Sequence, residues 1–593
     1  MYTKIFGLLL LFCSLGLFAQ NEENFVPHRM TTEELSRMPD YLSDVQSSGI
    51  LTPPSSPIRT AAEWEEAEAL VIAWTSFPGI LREIVRHAKE EVEVIIVCDN
   101  PSNVVNYLNN GDVDTTNVTL LQEDFNSIWI RDYGQWNAYT DDVDSLILVD
   151  WIYNRPRPAD DAVPESISEL YDLPLYQTTA PPYDLVHTGG NFMTDGLGTG
   201  FSSNLVLDEN DKTIGEIDDI MEAFMGIDRY IKMPVLPYDQ IHHIDMHMKL
   251  LDEETLLISE YPTGVADGPQ IEANIEYIQN NFTSAFGTPY KIVRIPAPDE
   301  NGTYPNQGGD YRTFTNSVFI NKTVLVPVYN SQYEADALAL YEALLPGYNI
   351  VGIDCNDIIP LSGALHCITK LVHTDDPLLI VHQPLTDNFD STTTEFTVNA
   401  TVQHRSDIET AQVFYRTDAT QDFEPLAMEV LDPMTSSFTV NLPAQLDSTT
   451  VQYYIDATSY SGKSQVRPMP APEGFWSFTV YNGLTEFEDT MEVVDSMNVA
   501  LNLIANTSLQ SIQNIYPNPI QDYFVLDVRN DNSFTSSIVL FDVNGKEVDV
   551  VYTGAIGAAS QSIVYRSTHL VSGVYFLHLQ SPLGLEVRKI FIE

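Results

Sequence analysis

The feature that most constrains the fold is a local plan that recurs five times between residues 52 and 385, at intervals of roughly 55 to 65 residues. Each unit opens on a polar or glycine-rich signature, runs into an apolar hairpin, and then gives a helix and another strand. The signatures are Glu63-Trp64-Glu65, Trp129-Ile130-Arg131-Asp132, Gly189-Gly190-Asn191, His242-His243-Ile244-Asp245 and Gly308-Gly309-Asp310. Residues 217–224, 271–278 and 335–345 carry apolar side chains at helical period behind the hairpins. Five ββαβ units around an axis make a five-bladed α/β propeller, whose signatures would meet at the centre. Side chains distant in sequence would then share one site.

Helical periods stop after residue 385. Short alternating segments at 412–416, 438–442 and 451–457, divided by Asp, Ser, Pro and Gly clusters, predict an all-β sandwich of immunoglobulin type. Residues 482–513 are acidic and polar and read as a linker. Beyond them, Tyr516-Pro517-Asn518-Pro519, a hairpin turn at Asn544-Gly545 and an apolar run at 573–579 outline a small C-terminal β-sandwich. This tail resembles the C-terminal sorting domains of the type IX export system of Bacteroidetes, through Tyr516-Pro517-Asn518-Pro519 and Leu570-Val571-Ser572-Gly573-Val574-Tyr575. At the other end, Lys4, an apolar run over 5–18 and then Ala19 read as an export signal. The expected layout is a signal at 1–19, an N-terminal extension or propeptide at 20–51, a catalytic domain at 52–385, the immunoglobulin-like domain at 386–482, a linker at 483–513 and the sorting domain at 514–593. The protein is expected outside the cytoplasm, secreted or attached to the cell surface, with the secretion machinery as a partner.

The 84 acidic residues outweigh 28 basic ones, giving a formal charge of -56. Such a chain repels nucleic acid and anionic membranes, and no stretch has the ~20 apolar residues of a membrane span. Removal of the signal takes Cys13 with it and leaves Cys98, Cys355 and Cys367, an odd number in an exported protein. Cys98 and Cys355 close the apolar strands 92–97 and 350–353, where a thiol is ordinary packing. Cys367 instead follows the small-residue turn Gly363-Ala364 and is the candidate nucleophile.

On an extended segment His243, Asp245 and His247 would share one face, with Ile244, Met246 and Met248 on the other. A histidine beside a carboxylate suits general acid–base work. A metal site built from the same three residues is the rival reading. Asp132 offers a second carboxylate. A guanidinium presents donors on two edges, so two carboxylates can hold its central carbon in front of a thiolate.

Residues 61–370 resemble the agmatine deiminase and bacterial peptidylarginine deiminase family. The resemblance is carried by Ala62-Glu63-Trp64-Glu65, Trp129-Ile130-Arg131-Asp132-Tyr133-Gly134, Gly189-Gly190-Asn191-Phe192-Met193-Thr194-Asp195-Gly196, His242-His243-Ile244-Asp245-Met246-His247 and His366-Cys367-Ile368-Thr369. It implies the five-bladed fold, Cys367 as nucleophile, His243 as acid and base, Asp132 and Asp245 as guanidinium clamps, and Asn316 as a polar neighbour of the thiol. It implies no metal or organic cofactor. Trp129 and Ile241 are expected substrate contacts. In Tyr153-Asn154-Arg155-Pro156-Arg157-Pro158 each arginine precedes a proline and is biased to extended geometry. Two such forks suit a carboxylate, which a peptide ending in arginine has and agmatine lacks. The expected substrates are arginine-containing peptides or proteins. Agmatine or another small guanidine is the alternative within the enzyme class, and a non-catalytic surface binding protein is the alternative outside it.

Overall fold

The computed structural model describes residues 26–385, 389–446, 449–481 and, with short gaps, 512–592. The export signal with Cys13, nearly all of the linker, the Asn544-Gly545 turn, Pro517-Asn518-Pro519 and Ser572 lie outside the described residues.

Residues 58–373 form five separate sheets. Three repeat one pattern: an antiparallel pair followed by a helix and a parallel strand. They run through Met193–Thr194, Thr199–Ser203 and Arg229–Met233; through Met248–Leu250, Thr255–Glu260 and Lys291–Pro296; and through Val318–Ile320, Thr323–Val328 and Asn349–Asp354. The helices Ile214–Met225, Gly268–Asn281 and Glu334–Leu344 make the crossovers. A fourth sheet adds Ile58–Thr60 to the hairpin Trp136–Thr140 and Ser145–Tyr153, which pairs with Leu175–Thr178.

The fifth sheet joins the two ends of this region. Ala67–Ala73 pairs in parallel with Glu93–Val97, and its antiparallel partner is Lys370–His373, three hundred residues onward. The unit that opens the region is therefore completed by the strand that closes it, directly after Cys367.

These strands are nearly continuous apolar runs because both faces are covered. Leu70, Val71, Ile72, Val94, Ile95, Ile96 and Val97 are all fully buried. Each such aliphatic side chain contributes about 1.5–3 kcal/mol on leaving water. Helix Ile214–Met225 shows how the sequence sets an element. Thr213 and Glu216 form a capping box at its start, and Ile217, Ile220, Met221 and Phe224 bury one face.

One expectation is corrected. Gly308-Gly309-Asp310 does not join the other signatures: Gly308 ends a short turn, and its position faces open space. The buried segment Thr313, Thr315, Asn316 and Ser317 reaches the centre instead. Glycines read as a signature here serve a surface turn.

Beyond residue 378 the described residues are all-β. Two sheets, with Phe396–Gln403 and Thr449–Ser459 as central members, enclose Val398, Val402, Val413, Tyr453, Ile455 and Phe478. Arg467 ties this layer to residues 58–373, with its Nη2 3.1 Å from both carboxylate oxygens of Glu253. Residues 512–592 form two further sheets around Phe524, Leu526, Ile538, Leu540, Leu577 and Ile590. No helix among the described residues is long and apolar enough to cross a membrane.

Candidate active site

Four short turns carry the predicted residues to one place. They are Ile130–Tyr133 with Trp129 as its N-cap, Gly189–Asn191, Ile244–Met246 and His366–Ile368; the first packs against both Gly189–Asn191 and His366–Ile368, and Gly189–Asn191 packs against Ile244–Met246. The segment expected to be extended around His243 contains a 3-10 turn, so strict alternation fails there. His243 and Asp245 still converge, because both approach Gly190.

Gly190 defines the meeting point. A Cβ at this position would lie 2.4 Å from His243 Nδ1, 3.0 Å from Asp132 Oδ1 and 3.2 Å from Asp245 Oδ2. A Cβ at Gly189 would lie 1.9 Å from the carbonyl oxygen of Arg131. Only glycines let the backbone pass so close to three reactive side chains.

Cys367 is fully buried with Sγ 3.2 Å from Asn316 Nδ2 and 3.7 Å from Asp245 Oδ2. Burial first, then the charges of Asp245 and Asp132, push the thiol well above its ordinary range, against the hydrogen bonds from Ala364 and Asn316. The resting group is a thiol. His243 is lowered to about 4, chiefly by burial and only partly offset by Asp132, so its imidazole is neutral at pH 7. Its Nδ1 lies 3.5 Å from Asp132 Oδ1 and has no hydrogen-bond partner. Burial raises Asp132, yet His243, His28 and Arg155 outweigh it and hold the carboxylate well below its usual range.

Several members of the site were not assigned from the sequence. His366 bridges two carboxylates, with Nδ1 2.7 Å from Asp245 Oδ2 and Nε2 2.7 Å from Glu63 Oε2. Two carboxylates on one ring call for two donors and favour the imidazolium, although burial, Arg131 and Lys249 pull its pKa down. Lys249 Nζ donates to Glu63 Oε1 at 2.5 Å, and Arg131 Nε to the carbonyl of His366 at 3.1 Å. Glu63 and His366 stood inside recognised motifs but carried no chemical signal of their own. Lys249 continues an apolar strand, which hides its role.

His28 is the larger surprise. Its Nε2 lies 2.6 Å from Asp132 Oδ2, and its ring stacks on Trp129 at 4.1 Å and 6°. Nothing around it in the sequence suggests a site. Arg155 and Arg157 are both buried rather than spread over a solvated loop, and both point to the same segment. Arg155 Nε donates to the carbonyl of His28 at 3.1 Å, and Arg157 Nη2 to that of Pro27 at 2.7 Å. Ile241 is buried beside them, lining with Arg155 an open depression that Arg29 and Met30 also border.

The rival metal triad of His243, Asp245 and His247 is not gathered. Among the described residues the one group with ligand atoms close enough for an ion, all within 4.8 Å, is His28, Asp132 and His243. His247 Nδ1 is buried without a partner. Cys98 and Cys355 are buried and form no disulfide.

Residues 59–372, more than half of the chain, match the Porphyromonas-type peptidyl-arginine deiminase family. The chain belongs to that family. It is a guanidine-modifying deiminase, a hydrolase of amidine C–N bonds. A relative from Mycoplasma mycoides, named "Putative agmatine deiminase", is 22% identical over 368 residues, covering 54% of this chain and 96% of its own. A solved structure of the same description has a TM-score of 0.50 at 19% identity, covering 56% of this deiminase and all of that chain. The agmatine deiminase of Enterococcus faecalis gives a TM-score of 0.48 at 18% identity, over 56% of this chain and 100% of its own. Residues 514–593 match the secretion system C-terminal sorting domain, which sends the deiminase to the cell surface or the medium.

Proposed function

We propose that this deiminase hydrolyses the guanidinium of peptidyl arginine to citrulline and ammonia through a covalent adduct on Cys367. The observation that carries the reading is the convergence of a thiol, a neutral imidazole and two carboxylates around Gly190. We read the five sheets as five blades about the axis on which these groups meet.

A guanidinium held between Asp132 and Asp245 supplies a positive charge beside the two carboxylates that add to burial in suppressing ionisation of Cys367. Its entry favours the thiolate, with the proton passing to neutral His243. Sulfur attacks the guanidinium carbon, forming the C–S bond of a tetrahedral adduct. The imidazolium of His243 returns its proton to the departing nitrogen, the C–N bond breaks and ammonia leaves. A thiouronium remains on Cys367. Water, losing a proton to His243, attacks the same carbon, the C–S bond breaks, and citrulline is released. Asn316 steadies the sulfur as it gains and sheds charge.

The substrate class rests on Arg155 and Arg157. Both grip oxygens one residue or less from a side chain that reaches Asp132. A peptide, and above all one ending in arginine, offers carbonyl or carboxylate oxygens at that place, and agmatine offers none. The agmatine reading draws on the names of the relatives. Comparing kcat/KM for a peptide with C-terminal arginine, for free arginine and for agmatine separates the two. Peptide preference that disappears in Arg155→Ala supports the proposal, while agmatine preference with no effect of Arg155→Ala rejects it.

A further inference from the structure

Four of the groups assigned to substrate recognition, Asp132, Trp129, Arg155 and Arg157, are occupied by the protein's own N-terminal segment. Asp132 pairs with His28 Nε2, while His28 Nδ1 lies 2.7 Å from the carbonyl of Ser362. Trp129 is covered by the His28 ring, and its Nε1 donates to the carbonyl of Val26 at 3.0 Å. His28 also meets His243 edge to face at 5.0 Å. Arg155 and Arg157 hold the carbonyls of His28 and Pro27, and Arg157 Nε is further paired with Glu34 Oε1 at 2.8 Å. His28 and Cys367 are both completely buried.

The way the segment is attached differs from the way core elements are attached. Helix Thr32–Asp44 has 13 residues and buries only Glu34, whereas Ile214–Met225 buries five side chains. Leu35 and Leu42 are 61% and 38% exposed. Its hold is polar and concentrated at the active site, as for a bound ligand, and a segment with so little apolar burial opens at low cost. Residues 42–48 are almost wholly exposed and join it to the catalytic domain.

An imidazole can pair with the clamp carboxylate and stack as a planar cation does, but it carries no amine that could leave. A peptide presenting histidine where the target arginine belongs would bind without being consumed.

We propose that residues 26–44 are an intramolecular inhibitor, with His28 in the place of the target side chain, so that the full chain is latent until the segment lifts away or is cut at 42–48. Occlusion itself does not depend on the chemistry; that the excluded ligand is an arginine peptide rests on the function proposed above. An intramolecular competitor raises the apparent KM and leaves kcat alone. If the closed form holds about 90–99% of molecules, the apparent KM rises about 10–100-fold.

The test uses the full chain, Glu34→Gln, and His28→Ala/Glu34→Gln, each checked for an unchanged melting profile. Alkylation of Cys367 by iodoacetamide, located by peptide mass, reports access without requiring turnover. The expected result is alkylation about tenfold or more faster in the double variant, with a matching fall in KM for an arginine peptide and no loss of kcat. The single variant should fall between. Unchanged alkylation and KM would overturn the proposal, as would a lower kcat in the loosened chains, which would make His28 part of the catalytic machinery. Faster alkylation with no citrulline from any of the three chains would leave the inhibitor standing and reject the deiminase chemistry instead.

Discussion

The side-chain amide of Asn316 donates to Cys367 Sγ at 3.2 Å while its oxygen accepts the backbone N–H groups of His366 and Cys367 at 3.0 and 3.4 Å. The two backbone donors dictate which end of the amide faces sulfur. Asn316 therefore both places the turn that carries the nucleophile and offers it a donor.

Asn316→Asp keeps the shape and replaces that donor by a third carboxylate beside a thiol whose ionisation burial, and then Asp245 and Asp132, already oppose. The expected loss in kcat is about 10²–10³-fold, with the rising limb of the pH–rate profile displaced to higher pH. Steady-state kinetics between neutral and alkaline pH checks it. Asn316→Ala should lose less and shift the limb less.

Gly190→Ala tests the convergence directly. The added methyl meets His243 Nδ1 at 2.4 Å and both clamp carboxylates, so the catalytic groups must move apart. A displacement of about 1 Å costs about a hundredfold in rate. Citrulline release should fall by at least that factor in a chain whose circular dichroism shows an intact fold.

Glu63 is the anion that balances Lys249, His366 and Arg131 in the interior; although burial raises its pKa, these partners bring it well below the ordinary value. Glu63→Gln strands buried positive charge and should cost about 3–5 kcal/mol of stability. Denaturant unfolding measures the loss. Lys249→Met added to that chain should recover part of it, because one of the stranded charges is gone.

The pH dependence of stability has a calculable sign. Burial lowers His187 to about 3 and His243, His247 and His382 to about 4, from 6.5. Their contribution is present above the ordinary value and lost as pH falls through the folded one. Burial raises Asp160, Glu209 and Glu253 to about 7 and Asp239 to about 8. Theirs is present below the ordinary carboxylate values and lost as pH rises through the folded ones. The two sets oppose each other between about pH 4 and 6.5, and only the acids act above that. The melting temperature should fall as pH rises from 6.5 through 8, and Asp239→Asn should flatten the fall.

The α/β character of the catalytic region was legible in the sequence because hairpins and helices alternate along it, as in the three sheets that share one pattern. Cys367, His243, Asp132 and Asp245 could be named because thiol, imidazole and carboxylate are chemically rare inside apolar surroundings. The Gly308-Gly309 signature misled because glycine serves surface turns and close approaches equally. The ion network of Glu63, His366, Lys249 and Arg131 was hidden because its partners are far apart in sequence, 186 residues in the Lys249–Glu63 pair. His28 was illegible for a stronger reason: it lies 104 residues from Asp132 along the chain, in a stretch with no periodicity. The two arginines of residues 153–158 stood out in the sequence, but their burial against Pro27, His28 and Glu34 is a tertiary fact.

The covalent adduct on Cys367 is the most direct test of the account. The chain is mixed with an arginine peptide, quenched in acid during turnover and analysed by peptide mass spectrometry. The account predicts a fraction of the Cys367 peptide carrying the substrate less ammonia, absent in Cys367→Ala, which makes no citrulline. Citrulline production that persists in Cys367→Ala, or an adduct on any other residue, would contradict it.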